Sequence, residues 1–165
     1  MDGKQIVVCG GNLRGGLHEL KLCSAVNGQV IHSFLGHKGR VNRVRLSPDG
    51  KLLVSSGIDK TIQVWELSTG KNLVSLRGHK HHVYGVSFHP DGKRVASSGR
   101  DHSVRLWDLL LGKQIQLFKG HTDQVIDVEF CPDGKHLASA CDDKTIRFWD
   151  VATGKELRRF LGHGN

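Results

Sequence analysis

The chain lacks most of what would mark a membrane protein, a secreted disulfide scaffold or a nucleotide-binding enzyme. No apolar run approaches the roughly 20 residues of a membrane span. Ile6 to Cys9 is far too short for the core of a secretory leader. The four cysteines, Cys9, Cys23, Cys131 and Cys141, include no Cys-x-x-Cys pair, which fits reduced thiols in a cytoplasmic protein. Gly10-Gly11 and Gly15-Gly16 belong to no Gly-x-x-x-x-Gly-Lys-Ser/Thr pattern and precede no helical pattern, which excludes a phosphate loop. No run of Lys and Arg exceeds two, so the net charge of +8 and pI near 9.6 are dispersed and favour acidic partners only weakly. No stretch carries a helical apolar stripe longer than two turns. An apolar content of 38% beside 24% charged residues still allows a packed core and argues against disorder.

What the chain does have recurs every 42 residues. Gly36-His37, Gly78-His79, Gly120-His121 and Gly162-His163 keep that spacing. So do the only three tryptophans, Trp65, Trp107 and Trp149, and the three prolines, each in a Pro-Asp-Gly turn at Pro48, Pro90 and Pro132. A fixed period of this length marks a propeller, solenoid or array, whose units bury their faces against their neighbours.

Each unit holds four short apolar runs separated by turn chemistry. In one they are Val83–Phe88, Arg94–Ser98, Ser103–Trp107 and Gln114–Phe118. Runs of five or six residues rich in β-branched and aromatic side chains read as strands, and alternation shows at Val104/Leu106 and Ile115/Leu117. Pro-Asp-Gly sets φ with Pro, bonds its own turn through Asp and supplies Gly for positive φ. Asp101-His102 and Leu111-Gly112-Lys113 make the other tight connections. Four antiparallel strands in 42 residues make one small sheet, and such sheets in series point to a β-propeller, with strands a to d running from the axis outward.

Gly-His and Trp-Asp at this spacing resemble the WD-repeat propellers, most strongly over residues 29 to 163. Trp107-Asp108 and Trp149-Asp150 match literally, while Trp65-Glu66 is a conservative departure. The reading is therefore all-β: three complete blades, 36–77, 78–119 and 120–161, after a degenerate unit, 1–35, that lacks its inner strand. Residues 162–165 read as the start of a further repeat. In the first unit Cys23 and Ser24 stand where Trp-Asp should be, and Asn12 to Gly16 reads as an inserted loop between strands b and c. With one inner strand missing, the chain is not expected to be a closed monomeric propeller. Either it self-associates to complete a ring, or it is the partial propeller of a longer protein.

The resemblance implies a hydrogen-bonded tetrad in each blade: His37, Ser55, Asp59 and Trp65; His79, Ser97, Asp101 and Trp107; His121, Ser139, Asp143 and Trp149. The chemistry suits a buried relay, because indole N–H only donates, carboxylate only accepts, and Ser and neutral His do both. The same residue types could form a catalytic triad. Three sets in register, each with a Trp competing for the Ser, argue for architecture instead. His79, His81 and His82 crowd together but lack a neighbouring Cys or carboxylate cluster. In an extended segment His81 and His82 would face opposite ways, so no metal site is expected.

By the same resemblance, partners bind at the narrow face over the central channel. The positions that map there are Arg40, Asn42 and Ile58; His82, Tyr84 and Arg100; Gln124, Ile126 and Asp142. Tyr, Ile and Arg are types that binding hot spots use. The expected function is a non-enzymatic, cofactor-free protein–protein interaction scaffold, cytoplasmic and away from membranes. A basic nucleic-acid-binding propeller is the alternative, and it requires Arg40, Arg43, Arg45, Arg94, Arg100 and Arg105 to gather on one face.

Overall fold

The computed structural model describes residues 4–10 and 19–162; Asn12 to Gly16 and His163 to Asn165 fall outside the described residues. Every regular element is a strand. The first sheet has three, β1 (Gln5–Gly10), β2 (Glu19–Ser24) and β3 (Val30–Ser33). The second has four, β4 (Val41–Leu46), β5 (Leu52–Gly57), β6 (Thr61–Glu66) and β7 (Asn72–Arg77). The third comprises β8 (Val83–Phe88), β9 (Arg94–Gly99), β10 (Val104–Asp108) and β11 (Lys113–Phe118). The fourth comprises β12 (Val125–Phe130), β13 (His136–Cys141), β14 (Thr145–Asp150) and β15 (Glu156–Leu161). All pairings are antiparallel and follow chain order, as short hairpin turns require. The architecture is that of WD blades, three of four strands and one of three.

The turns form as their residues dictate. Asp49 accepts from Ser47 Oγ (2.6 Å) and from the Lys51 N–H, while Gly50 takes φ of 69° between them. Between strands b and c, Lys60, His102 and Lys144 adopt φ of 68°, 60° and 63°, a left-handed conformation repeated at one position of each unit.

Three apolar cores lie between successive sheets. Leu20, Leu22, Phe34, Val41, Leu53, Trp65 and Leu67 join the first sheet to the second. Val54, Ile62, Leu76, Val83, Val86, Val95 and Trp107 join the second to the third. Val104, Leu106, Phe118, Val125, Val128, Leu137 and Trp149 join the third to the fourth. Each Trp thus faces the preceding sheet. Phe34 meets Trp65, and Phe118 meets Trp149, edge-on with centroids 5.7 Å apart in both cases, a favoured aromatic geometry.

Two bulges recur. On the outermost strands an extra residue, Ile31, Leu73, Ile115 or Leu157, interrupts the pairing opposite the Trp or Cys23 and stands partly exposed. Such bulges blunt a free edge against pairing with another chain. On the inner strands, Asn42, Tyr84 and Ile126 are the extra residues: Val41 pairs with Gly57, and the ladder resumes at Arg43 with Ser56. Inner strands two sheets apart also meet. Arg43 of β4 donates to Asp127 of β12 at 2.8 Å, past Gly85 of β8, where a Cβ would come within 2.9 Å of the same carboxylate.

Candidate functional site

Three sets of side chains are closed into hydrogen-bonded chains. Trp65 Nε1 donates to Ser55 Oγ (2.9 Å), Ser55 Oγ lies 2.8 Å from His37 Nε2, and His37 Nδ1 lies 2.9 Å from Asp59. The matching distances are 2.8, 2.7 and 2.9 Å for Trp107, Ser97, His79 and Asp101. They are 2.8 Å throughout for Trp149, Ser139, His121 and Asp143. With Nδ1 protonated, each His donates to its Asp and accepts from its Ser, so each group finds a partner. The Asp also accepts the backbone N–H after the His, at Lys38, Lys80 and Thr122, and so pins the loop leading into strand a. Each Ser Oγ is buried and already bonded to both Trp and His, which leaves it no approach as a nucleophile.

Charge in these sets follows burial and bonding. Burial alone would raise the Asp59 carboxyl, but hydrogen bonds from His37, the Lys38 N–H and Thr61 overcome it and hold the group at about 2. Asp101 and Asp143 are held low against burial in the same way, by His79 with Ser103 and by Thr145 with His121. Burial pushes His79 and His121 below the ordinary imidazole range, outweighing the pull of their aspartates.

The nine positions expected at the narrow face divide by how the backbone places them. Asn42, Tyr84 and Ile126 are the inner-strand bulge residues, which re-aims their side chains out of the sheet's alternation. Arg40, His82 and Gln124 precede strand a, and their carbonyls accept from the N–H groups of Ile58, Arg100 and Asp142. The nine therefore come together as three bonded triplets. Side chains link neighbouring sheets, as Asn42 donates to the Val83 carbonyl (2.7 Å) and Tyr84 to Gln124 (3.1 Å), while Gln124 donates to Asp142 (2.6 Å) within its own triplet. The charge is lopsided. Burial, then the positive charges of His81, Arg100, Arg40 and Lys60, keep His82 below the usual imidazole range, whereas the fourth sheet contributes Asp142.

One expectation needs correcting, and one requirement of the nucleic-acid alternative is not met. His81 and His82 do not point to opposite faces, because their segment bends before β8 and their rings meet edge-on with centroids 4.5 Å apart. The six arginines do not gather on one face. Arg94 and Arg100 flank opposite ends of β9, Arg43 and Arg45 turn to Asp127 and Glu129, and Arg105 bonds Asp101.

One grouping was missed by the sequence reading. His121, Cys141 and Asp143 bring an imidazole nitrogen, a sulfur and a carboxylate oxygen within 4.8 Å of one another. The signal was present in the repeat, since Cys141 stands where the two preceding units have Gly57 and Gly99.

Comparison with known proteins finds relatives along parts of the chain. Over 40 residues, 24% of this chain, it is 52% identical to the ribosome biogenesis protein erb1 of Neosartorya fischeri. It is 37% identical over 68 residues, 41% of this chain, to the small ribosomal subunit protein RACK1 of Drosophila melanogaster. It is 41% identical over 51 residues, 31% of this chain, to the apoptotic protease-activating factor 1 of Mus musculus. The matched segments span only 5%, 20% and 4% of those relatives. WD-repeat proteins generally act as interaction scaffolds and are typically not enzymes. The profile of the WD domain, G-beta repeat, matches residues 28–66, 70–108 and 112–150, most of the sequence, and the chain belongs to that family.

Proposed function

We propose that this chain is a non-enzymatic scaffold that binds partner peptides or domains at the face formed by Arg40, Asn42, Ile58, His82, Tyr84, Arg100, Gln124, Ile126 and Asp142. The observation that carries the reading is the bulge repeated at Asn42, Tyr84 and Ile126. Bulges re-aim side chains and favour functional edges, and here they present an amide, a phenol and an aliphatic side chain in a row. Backbone bonds hold the flanking residues in place before any partner arrives, which lowers the ordering cost of binding. The tetrads beneath serve as architecture in this reading, fixing the loops that carry the face.

The relatives are named for unrelated tasks, ribosome biogenesis and protease activation among them, and share only repeats with this chain. That supports a platform role rather than one pathway. Arg40, Lys60, His81, His82 and Arg100 give the second and third sheets a cationic edge, which suits carboxylate-bearing partners. Four free thiols suit a reducing, cytoplasmic setting. Self-association belongs to the same reading, through the outer sheets where Ile6, Val8 and Phe160 are about half exposed, and light scattering reads it as a mass above 18.2 kDa.

Peptides selected on the chain from a random displayed library supply the test. They should lose about tenfold or more in affinity for a Tyr84→Ala, Arg100→Ala double variant, roughly 1.4 kcal/mol. Its melting curve should shift by only about 0.5 kcal/mol per site. Selected peptides that bind this variant undiminished would move the binding surface elsewhere.

A further inference from the structure

The third and fourth sheets share the tetrad but differ beside it, at the end of strand b. In the second and third sheets the last residue of strand b is glycine. A Cβ at Gly57 would lie 2.7 Å from His37 Nδ1 and 2.8 Å from Asp59, and one at Gly99 would lie 3.1 Å from His79 Nδ1. A Cβ at this position is crowded against the tetrad His in both sheets. The fourth sheet puts a cysteine there.

Cys141 is accommodated by contacts that leave its sulfur beside both groups. The thiol lies 3.2 Å from the Asp123 carbonyl and accepts the Asp143 N–H at 3.4 Å. Burial pushes the thiol up to about 11, so it is protonated and inert on its own. The sulfur is the most open of the three groups, the His121 and Asp143 side chains being 2% and 5% exposed. Gly57 and Gly99 are buried, whereas Cys141 is half-buried, and so are Ala138 and Ala140 on the same strand.

We propose that His121, Cys141 and Asp143 bind one divalent transition-metal ion of the zinc class. Zinc takes thiolate, imidazole and carboxylate ligands at about 2.0–2.3 Å, and the three ligand atoms already lie close enough to converge on one centre. Two anionic ligands and one neutral ligand balance a charge of about 2+, and water supplies the fourth position of an otherwise three-ligand site. Binding releases the thiol proton to solvent. The His121 ring proton moves from Nδ1 to Nε2 and is donated to Ser139 Oγ, which keeps its bond from Trp149 but loses Nε2 as an acceptor. The metal then bridges His121 and Asp143 in place of their hydrogen bond. Arg147, 3.4 Å from Asp143 and 2.8 Å from Glu156, stays on Glu156 and yields that carboxylate oxygen. The two sister tetrads have no sulfur at this point and do not bind the ion.

Titration of the purified chain with cobalt(II) tests this directly. A thiolate-to-cobalt absorbance should saturate at one ion per chain, fade on adding zinc, and accompany a rise in melting temperature with either metal. Cys141→Gly, which installs the sister units' residue, should abolish both signals, although Cys9, Cys23 and Cys131 remain. If that variant does not fold, Cys141→Ser replaces it and is expected to lose the absorbance in the same way. Absence of a thiolate band in the parent chain overturns the proposal. So does a band that survives in the variant, which would place the thiol elsewhere.

Discussion

The first and third sheets solve the same packing problem with different means. The third carries a closed relay from Trp107 through Ser97 and His79 to Asp101, with Arg105 and Ser103 also bonded to that carboxylate. The first has Cys23 in the Trp position, 8% exposed, and no such relay among its described residues. Yet it keeps the pairing, the outer bulge and the turn: Gly28 N–H bonds Ser24 as Gly70 N–H bonds Glu66. Turn chemistry and alternation therefore suffice to shape a blade. The relay adds something separate, a polar core that locks one blade's corners and the loop before strand a. The cost of disrupting it should be large in the third sheet and have no counterpart in the first.

The sharpest way to break this contrast is Asp101→Ala. It strands His79 Nδ1–H in a buried setting and takes from Arg105 its ion-pair partner, and should cost about 3 kcal/mol in denaturant unfolding. A loss below about 1 kcal/mol would erase the distinction between the sheets. Trp107→Phe should cost about 2 kcal/mol by taking the donor from Ser97 and thinning the core, while Cys23→Ala at the matching position should cost about 1 kcal/mol or less. Gly99→Ala should cost about 1–2 kcal/mol, because its Cβ would sit 2.7 Å from the His82 carbonyl. The gentlest probe is acid. His79 and His121 are held low by burial, so the unfolded chain takes up their protons first, and stability should begin to fall below about pH 6.5. The tetrad carboxyls are depressed, so their contribution is complete above about pH 4 and disappears as pH falls through the folded values, near 2 for Asp59. Thermal melts from pH 7 to 2 should show both stages, and Asp101→Ala should make the second shallower, since Asp59 and Asp143 remain.

The sequence revealed most of the fold, because its punctuation is physical. Pro-Asp-Gly leaves few alternatives for strands a and b, and Val104 and Leu106 end up buried as alternation predicts, whereas Ile115 is an exposed bulge residue and Phe118, out of step with it, is buried instead. The sequence implied which His pairs with which Ser only through its resemblance to the WD repeats. It could not show that Asn42, Tyr84 and Ile126 are bulge residues, since a bulge is a mismatch between two strands and neither strand records it alone. The His81–His82 contact was misjudged for a related reason, because a bend outside a strand obeys no period-two rule. Cys141 was overlooked because a repeat is recognised by what it keeps, while this cysteine is informative as a departure.

The bond from Arg43 to Asp127 has a consequence for how the molecule comes apart. Repeat arrays are commonly described by intrinsic terms and nearest-neighbour couplings, so that an end unit frays at the expense of one interface. Here the fourth sheet is fastened to the second as well as the third, over the gap that Gly85 leaves. Peeling it away must break a contact two units distant, and that couples the opening of the array across three sheets. Amide exchange in β12 and β8 should then report one shared opening event, and Arg43→Ala should split it into two.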